Sequence, residues 1–470
     1  MCGICGVVAK QPVSQAIYDA LLLLQHRGQD ATGIATGQGA KFFLHKGKGM
    51  VLDVFHTRQM RKLVGNYGIG HVRYPTAGSA DNEEESQPFY VNAPFGILLA
   101  HNGNLTNVAE LKQQLLSIDH RHINTESDTE VLLNVFANEL ETVTRYKALG
   151  ASEVFAAVSG TMERIKGAYA VVAMVAGVGV LAFRDPHGIR PLCYGESAQQ
   201  EVMVASESVA LEGTGFKLVR DIAPGEAIFI ELDGTVHTKI CAKKTSLNPC
   251  IFEYIYLARP DSVLDDISIY QARLKMGDIL AKRVISSIEP GEIDVVIPVP
   301  DSSRPSAIQV AYRIGKPYRD GFVKNRYIGR TFIMPEQNKR RQSVRRKLNA
   351  MRHEFMGRNV LLVDDSIVRG TTSREIVKMA REAGAKKVFL ASAAPPVYYP
   401  NFYGIDMPSK DDLIANGRTL EEVREWIGCD VLIYQDLNAL LQTVAALNPK
   451  ITQFDASCFD GHYVTGGIEV

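Results

Sequence analysis

The stretch VLLVDDSIVRGTT, residues 360–372, decides the fold of the second half of the chain. Its apolar start predicts a buried strand, two carboxylates follow at the carboxyl end, and a short loop leads into a helical pattern. Two further apolar runs, IDVVIPVP (293–300) and KVFLASAAP (387–395), also alternate with helical patterns. Such alternation is typical of parallel strands covered on both faces. We therefore predict an α/β domain with a mainly parallel sheet and a ligand beyond the carboxyl ends of its strands.

The loop after this strand has the chemistry of a phosphate site. Backbone N–H groups at a helix start, together with the hydroxyls of Thr371 and Thr372, suit a phosphate monoester. Asp364 and Asp365 would repel that phosphate, so we expect them to face hydroxyl groups or a metal ion instead. The alternative is that the two aspartates only cap the following helix and that the threonines are exposed.

These residues resemble the phosphoribosyl pyrophosphate (PRPP) motif of the type I phosphoribosyltransferases. The resemblance implies that Asp364 and Asp365 contact the ribose hydroxyls and the metal site. It also implies that the loop from Ser366 through Thr372, with Arg369 and Gly370, holds the 5-phosphate. The run PVPDSSR (298–304) takes the place of the family's pyrophosphate loop. Ser302 and Ser303 would then meet the diphosphate, with Ser302 near Mg²⁺. A Walker A sequence is absent from the chain.

A basic segment, residues 324–347, lies between these two loops. Taken alone, its cluster from Lys339 to Lys347 is typical of a solvated face, and a nucleic-acid patch is the alternative. Its place between two phosphate loops resembles the flexible lid that closes over the diphosphate in this family. Lys324, Arg330 and the later arginines would supply positive charge to the leaving group, and the pattern leaves open which one does so.

The first half of the chain has a different pattern. Short strand-like runs with turn signals predict packed antiparallel sheets in an α+β layered domain. The strand-like runs are residues 69–78, 95–105, 167–185, 201–208 and 226–238, and the helical ones are 17–26, 107–116, 128–141 and 152–165. A polar stretch, DGTVHTKICAKKTSLNP (233–249), reads as a connector. We predict two domains, residues 2–235 and 250–465.

The chain opens MCGICG, which places a thiol on the residue that becomes the first one if Met1 is removed. Cys2 would then carry a nucleophile and a free α-amine, which titrate near pH ~8.5 and ~8 and can exchange a proton near neutrality. An inert buried strand residue is the alternative from position alone.

Four spaced motifs follow Cys2: LQHRGQDATG (24–33), GHVRYPTAG (70–78), AHNGNL (100–105) and NTESD (124–128). Together they resemble the class II glutamine amidotransferase domain, an N-terminal nucleophile hydrolase with an αββα sandwich. The resemblance implies a glutamine site of six residues with distinct roles. These are Cys2 as nucleophile, Arg73 for the α-carboxylate, Asp128 for the α-ammonium, Asn102 and Gly103 for the oxyanion, and Gly28 for close backbone approach.

Some of these residues also have plain structural interpretations. Ser127 and Glu130 form an S-x-x-E pattern, so Asp128 would merely favour a helix start. Asn102 and Gly103 are the usual pair of a type I′ hairpin turn. We interpret His71 and His101 as structural, since the Cys2 amine is a sufficient base, and Cys5 as a packing residue.

Bulk composition excludes several classes of protein. Lys and Arg number 52, as do Asp and Glu, so the formal net charge is zero and no global field attracts nucleic acid or an anionic membrane. No apolar run approaches the ~20 residues that span a bilayer, and the start lacks the pattern of a signal peptide. We expect a cytoplasmic protein. Its seven cysteines should be thiols, ligands or nucleophiles rather than a disulfide framework.

Nearly end to end, the chain resembles the glutamine phosphoribosylpyrophosphate amidotransferases. This implies that ammonia made from glutamine at Cys2 displaces pyrophosphate from PRPP through a dry passage, in the first committed step of purine synthesis. It implies one Mg²⁺ per subunit, purine nucleotide inhibitors and a homotetramer. Some members carry a propeptide and a four-cysteine iron-sulfur cluster; here Cys2 follows Met1 directly, and two of the cluster positions are not cysteine. These four positions are Cys250, Cys458, Asn401 and Asp455.

We therefore expect no propeptide and no cluster. Two alternatives are a regulator that binds PRPP without catalysis and another class II amidotransferase.

Overall fold

The computed structural model describes residues 1–74, 83–145, 148–325, 348–407 and 409–468. Within these ranges, the first half of the chain forms two antiparallel sheets, one of seven strands and one of six. The strands are β1 (Gly3–Val8), β2 (Ala31–Gln38), β3 (Lys41–Lys48), β4 (Tyr67–Arg73), β5 (Phe89–Val91), β6 (Ile97–Leu105), β7 (Gly167–Val175), β8 (Gly179–Arg184), β9 (Cys193–Glu196), β10 (Val202–Ala205), β11 (Lys217–Asp221), β12 (Glu226–Glu231) and β13 (Val236–Ile240). The first sheet has the order β11-β9-β10-β1-β4-β2-β3, and the second β13-β12-β8-β7-β6-β5.

Helices cover the outer faces of these two sheets. They are α1 (Ser14–Leu23), α2 (Val51–Val54), α3 (Thr57–Met60), α4 (Val108–Ser117), α5 (Asp128–Thr144), α6 (Ala151–Arg164) and α7 (Ser208–Glu212). Side chains alternate along β1, so Ile4 and Val8 face the second sheet while Cys5 and Val7 pack under α1. On the other side, Phe136 of α5 belongs to the core that α5 and α6 form with the second sheet. The predicted αββα sandwich is confirmed.

The second half contains the predicted parallel sheet. Its strands are β14 (Val263–Leu264), β15 (Ile267–Ser268), β16 (Val295–Pro298), β17 (Phe322–Lys324), β18 (Leu348–Ala350), β19 (Asn359–Asp364), β20 (Lys387–Ser392) and β21 (Val431–Tyr434). Of these, β16, β19, β20 and β21 pair in that order, all parallel. The pairs β14 with β15 and β17 with β18 are antiparallel.

Helices cover both faces of the parallel sheet, as its continuous apolar strands require. The helices of this half are α8 (Ile269–Ser287), α9 (Arg304–Ile314), α10 (Arg352–Phe355), α11 (Thr371–Glu382), α12 (Leu420–Ile427), α13 (Leu437–Ala445) and α14 (Ser457–Asp460). Val310 of α9 packs with Leu361 on one face. Ile376 of α11 packs with Leu362 on the other. The α/β prediction for this half is confirmed.

The end of the first half lies further along the chain than residue 235. Strand β13 pairs with β12, with Ile230 opposite Val236 and Glu226 opposite Ile240. The second sheet therefore includes the first part of the predicted connector, and the connection begins after Ile240. The division of the chain into two domains otherwise stays a prediction.

Candidate active sites

Cys2 lies at the start of β1, buried where the two sheets of the sandwich meet. Its backbone N–H donates a hydrogen bond to Asn102 Oδ1 at 3.0 Å. Its sulfur accepts one from the backbone N–H of Tyr74 at 3.4 Å. Sequence analysis missed Tyr74, although it directly follows Arg73 in the second motif. The thiol therefore faces a backbone donor that would stabilise a thiolate.

The side-chain amide of Asn102 lies beside Cys2. This side chain is fully buried. Its Oδ1 accepts the hydrogen bond from Cys2, which leaves the amide nitrogen Nδ2 as the donor group of the side chain. Nδ2 has no hydrogen-bond partner among the residues that the structure describes. A buried amide donor without a partner costs free energy unless something binds there. The predicted oxyanion donor is thus placed beside the predicted nucleophile.

Gly103 lies within β6, opposite Tyr169 of β7, and not in a turn. The hairpin interpretation of Asn102 and Gly103 is therefore wrong. Gly103 has φ of +144°, and a β-carbon on it would overlap the carbonyl oxygen of Ala168. Only glycine fits this backbone.

Arg73 ends β4 and is buried between two carboxylates. Its guanidinium donates to Glu85 at 2.7 Å and lies 3.4 Å from Asp30. Gly28 packs directly on it, since a β-carbon on Gly28 would lie 2.5 Å from the carbonyl carbon of Arg73. The close approach predicted for Gly28 is present in the structure. Neither carboxylate was singled out by sequence, although Asp30 lies two residues after Gly28 within the first motif.

Asp128 is the first residue of α5 and is buried. Its Oδ2 accepts from the backbone N–H of Leu105 at 3.1 Å and lies 3.4 Å from His101 Nε2. Burial alone would raise the pKa of Asp128, but the neighbouring His101 and the hydrogen bonds lower it below the usual range. Ser127 caps the helix by accepting from Thr129 at 3.3 Å.

The reciprocal half of the capping box is not formed at this helix start. Glu130 accepts from the backbone N–H of Thr125 at 2.7 Å instead of reaching back to Ser127. Asp128 is nevertheless the first residue of a helix that Ser127 caps, so its carboxylate also favours this helix start.

His71 and Cys5 lie in the interior of the same sandwich. Burial, and then His101 and Arg73, hold the pKa of His71 well below its usual range, so its ring stays neutral. Burial raises the pKa of Cys5 to about 12. An inert thiol agrees with the interpretation of Cys5 as a packing residue.

The phosphate loop leaves β19 and enters α11 through Gly370, which has φ of +71°. Ser366 donates to Asp365 at 2.7 Å. Arg369 lies 3.3 Å from Asp406. Thr371 and Thr372 open α11, where the helix N-terminus provides free N–H groups.

Asp364 and Asp365 are both buried at the carboxyl end of β19. Burial, and then the neighbouring charge of Asp365, raises the pKa of Asp364 well above its usual range. Burial also raises the pKa of Asp365, against the hydrogen bonds that it accepts. The pair therefore resists carrying two negative charges by itself. The N-cap of α11 is Gly370 and the two aspartates are buried, so the alternative that they only cap the helix is not supported, although Thr372 is exposed and Thr371 half-buried as that alternative expects.

The pyrophosphate loop follows β16, which pairs with β19, so the two loops lie side by side. The hydroxyl of Ser302 donates to Asp365. The hydroxyl of Ser303 instead donates to the carbonyl oxygen of Val299 and is buried. Ser302 therefore has its side chain at the acidic pair, whereas Ser303 presents no free hydroxyl there.

A divalent metal fits this acidic pair. Oxygen donors are what Mg²⁺ prefers, and a cation would offset the burial that raises the pKa of both carboxyl groups, as well as the charge of Asp365 that raises the pKa of Asp364 further. Among the described residues, no group of three or more His, Cys, Asp or Glu could hold a metal ion. An ion held by two carboxylates here would complete its coordination with substrate oxygens and water.

Lys324 ends β17 and lies 3.2 Å from Asp301 of the pyrophosphate loop. Strands β17 and β18 pair with Lys324 opposite Leu348, so both flanks of the basic segment lie beside that loop. Arg330 and the cluster from Lys339 to Lys347 lie outside the described residues.

The two sites are joined by a segment that follows β20. The Asn104 side chain donates to Phe402 O at 3.0 Å. Gly404 lies on Gly103, since its β-carbon position is 2.9 Å from the Gly103 carbonyl oxygen. Strand β6, which carries Gly103 and Asn104, therefore contacts the second half of the chain directly.

A buried ion-pair cluster also connects the two halves. Arg27, the residue before Gly28, pairs with Glu207 of the first half and lies 2.8 Å from Glu253 of the second. His26 lies 2.7 Å from Glu207. Both carboxylates are buried, so each depends on its cations for compensation.

The four positions that correspond to the ligands of the iron-sulfur cluster in some relatives are all buried. Cys250 and Asp455 form an isolated backbone β-bridge, and Cys458 and Asn401 are also buried. Burial raises the pKa of Cys250 to about 12. Asn401 Oδ1 accepts from the backbone N–H of Tyr403 at 2.9 Å, so its side chain supports a turn.

In the part of the chain that the structure describes, no helix has the length and apolarity needed to cross a membrane.

Comparison with known proteins gives consistent results over the whole chain. The glutamine amidotransferase domain family matches residues 71–213, and the phosphoribosyl transferase domain family matches residues 264–395. The chain is 58% identical to the amidophosphoribosyltransferase of Escherichia coli (strain K12), covering 100% of this chain and 94% of that protein. It is 52% identical to the amidophosphoribosyltransferase of Saccharomyces cerevisiae, covering 99% of this chain and 93% of that protein.

A solved relative has the same architecture. The glutamine PRPP amidotransferase of B. subtilis, complexed with ADP and GMP, superposes with a TM-score of 0.87 at 38% identity. The match covers 100% of this chain and 98% of that one.

Proposed function

The chain belongs to the amidophosphoribosyltransferase family, and from this we propose which of its residues perform each part of the reaction. The enzyme uses the amide nitrogen of glutamine to convert PRPP into 5-phosphoribosylamine, with release of glutamate and pyrophosphate. This is the glutamine-dependent first step of purine biosynthesis.

We propose that Cys2 is the glutaminase nucleophile, with Met1 removed. Its sulfur attacks the amide carbon of glutamine, and its α-amine takes the thiol proton and passes it to the leaving ammonia. Water then cleaves the thioester to glutamate. Removal of Met1 would turn the Cys2 peptide N–H into this α-amine, and the hydrogen bond that the nitrogen donates to Asn102 Oδ1 supports the role, because the amine could keep it. Asn102 Nδ2 and the Gly103 N–H would stabilise the oxyanion.

Arg73 and Asp128 would hold the two charged ends of glutamine. A buried guanidinium can bind the α-carboxylate bidentately. Since Glu85 and Asp30 already pair with Arg73, the substrate carboxylate would have to displace or share one of them. The lowered pKa of Asp128, which burial opposes and His101 favours, keeps it ionised for the α-ammonium.

The second site would bind PRPP at the carboxyl edge of the parallel sheet. The loop from Ser366 through Thr372 would hold the 5-phosphate, and Asp364 and Asp365 the ribose hydroxyls and the metal, with Ser302 beside them. We propose one Mg²⁺ per subunit, which would neutralise charge on the diphosphate. Ammonia attacks C1 with inversion: the new C–N bond forms as the C–O bond to pyrophosphate breaks. The nitrogen on C1 then loses one proton to water, which gives 5-phosphoribosylamine.

Ammonia would pass from the glutamine site to the PRPP site through a passage that excludes water. In bulk water ammonia is mostly ammonium, which has no lone pair, so the passage has to exclude water. The contact of Gly404 with Gly103 supports a short route, because it brings the second half of the chain onto the oxyanion strand. Lys324 beside Asp301 supports a role of the basic segment in closing over the diphosphate.

Family membership is also the basis for our proposals on regulation and assembly. The B. subtilis relative was solved with ADP and GMP, which supports purine nucleotides as inhibitors. We further propose a cytoplasmic homotetramer without an iron-sulfur cluster. Light scattering and iron analysis of the purified protein test the last two points: four irons per subunit, or a mass other than four subunits, contradicts them.

One observation carries the assignment of the glutaminase: Asn102 Nδ2 lies beside Cys2 and has no hydrogen-bond partner in the described part of the chain. The test is Cys2→Ala, because the transferase site lies elsewhere. Glutamine-dependent turnover should be lost, while turnover with a high concentration of ammonia should remain at the wild-type level. The matched control is Cys5→Ala, three residues along the same strand. Loss of both activities in a folded Cys2→Ala protein would contradict the two-site scheme.

A further inference from the structure

The proposed 5-phosphate loop rests on two side chains that the mechanism above does not use. A β-carbon on Gly370 would lie 2.9 Å from Cζ3 of Trp426 and 3.0 Å from Cγ1 of Ile414. The backbone N–H of Ile414 donates to the carbonyl oxygen of Val368 at 2.9 Å. The loop is therefore in direct contact with Trp426 and tied by a backbone hydrogen bond to Ile414.

Trp426 also contacts a cation, Arg374, in the first turn of the helix that follows the loop. It is half-buried on α12 and packs against the core of the parallel sheet. The guanidinium carbon of Arg374 lies over its ring, 5.0 Å from the centroid. Arg374 is in the first turn of α11, and its backbone N–H donates to Gly370 O at 2.9 Å. The indole thus contacts both ends of the turn that starts α11.

We propose that Trp426 is a positioning residue for the 5-phosphate of PRPP: it braces Gly370 so that the loop is in its binding conformation before the substrate arrives. The inference rests on the proposed phosphate role of residues 366–372. Glycine at positive φ gives the loop backbone freedom, and a rigid ring against it removes that freedom. N–H groups that already converge lose less conformational entropy on binding an anion.

The proposal predicts a change in substrate binding without a change in chemistry. In the ammonia-dependent reaction, which does not use Cys2, Trp426→Leu should raise the KM for PRPP roughly tenfold and leave kcat within about twofold, the pattern of lost uniform binding. Trp426→Phe keeps an aromatic wall and should recover most of the affinity. The matched control is Glu425→Gln, the exposed preceding residue of the same helix, which should behave as wild type.

Fluorescence gives an independent readout, because Trp426 is the single tryptophan of the chain. With excitation where tyrosine does not absorb, the emission of the wild-type protein should change on adding PRPP with Mg²⁺, because the bound phosphate brings negative charge to the loop that the indole contacts. Its midpoint should match the dissociation constant from titration calorimetry. Glutamine alone should leave the emission unchanged.

The outcomes separate this inference from the proposed function. A wild-type KM in Trp426→Leu, or the same rise in Glu425→Gln, overturns the role of Trp426. If Trp426→Leu does not fold, a wild-type emission that ignores saturating PRPP overturns it instead. Thr371→Val tests the loop itself: an unchanged KM there refutes the phosphate assignment, whereas a raised KM there with a normal Trp426→Leu refutes only this inference.

Discussion

Asn102→Asp is the sharpest test of the glutaminase site, because it exchanges one atom. Asn102 Oδ1 accepts from the Cys2 nitrogen at 3.0 Å, and an aspartate can keep that hydrogen bond. Nδ2, which has no partner among the described residues, becomes an oxygen. The variant therefore retains the shape of the site and the position of Cys2, and it loses one oxyanion donor.

The expected loss follows from the two donors proposed here. Removing one oxyanion-hole donor costs about 2.7–4 kcal/mol in the transition state, or a factor of roughly 10²–10³ in kcat. The loss in kcat should lie at the upper end of this range, since the side chain is fully buried and a carboxylate would repel the developing oxyanion. KM for glutamine should change much less, because this donor acts on the transition state.

The assay is glutamate release at saturating glutamine and PRPP, compared with pyrophosphate release when ammonia replaces glutamine. The ammonia reaction should remain, which reports that the variant is folded. Asn124→Asp, an exposed residue of the same half, controls for the added charge. Glutaminase activity within a few-fold of wild type in a folded Asn102→Asp protein would refute the assignment of Nδ2.

Three further predictions concern other parts of the molecule. Gly28→Ala should raise the KM for glutamine at least tenfold with normal ammonia activity, because its β-carbon would lie 2.5 Å from the Arg73 backbone; a normal KM would contradict the contact. We expect PRPP with Mg²⁺ to activate glutamine hydrolysis, because closure of the basic segment over the diphosphate would complete the ammonia passage. Lys324→Ala should weaken this activation more than it changes the basal rate, and equal effects on both would argue against the lid. Glu207→Gln should lower the free energy of unfolding by about 3–5 kcal/mol near neutral pH, because it leaves buried Arg27 with one fewer partner. Burial opposes the ionisation of Glu207, but Arg27 and His26 depress its pKa below the ordinary 4.5, so this stability is present above pH 4.5 and is lost as the pH falls further. The gap in melting temperature between wild type and Glu207→Gln should therefore narrow in acid, and a gap that widens there would reverse the argument.

The chemistry of the sites can be predicted from the amino-acid sequence, because each motif keeps its residues close together in the chain. The run from Asp364 to Thr372 encodes a strand end, a loop and a helix start, so local rules place its donors together. The same holds for Asn102 and Gly103, where only their interpretation as a turn was wrong. Local sequence cannot tell a turn from a strand with a left-handed glycine, since both need positive φ.

What the sequence by itself determined is the class of each half, and it also supplied the candidate reacting groups. The alternating apolar runs predicted the sandwich and the parallel sheet, and Cys2 with its four motifs predicted a glutaminase. The class of each half follows from hydrophobic periodicity. The glutaminase prediction instead rests on the resemblance of Cys2 and the four motifs to the class II glutamine amidotransferases.

Only the tertiary structure decided which distant residues meet. It paired Arg73 with Glu85, placed Glu253 on Arg27, brought Phe402 to Asn104, and set Trp426 against Gly370. Each of these contacts joins elements that are separate in sequence, and each depends on how sheets and helices pack rather than on any local preference. A carboxylate or an indole has no sequence signal for its partner, because burial and packing assign the partner only when the chain is folded.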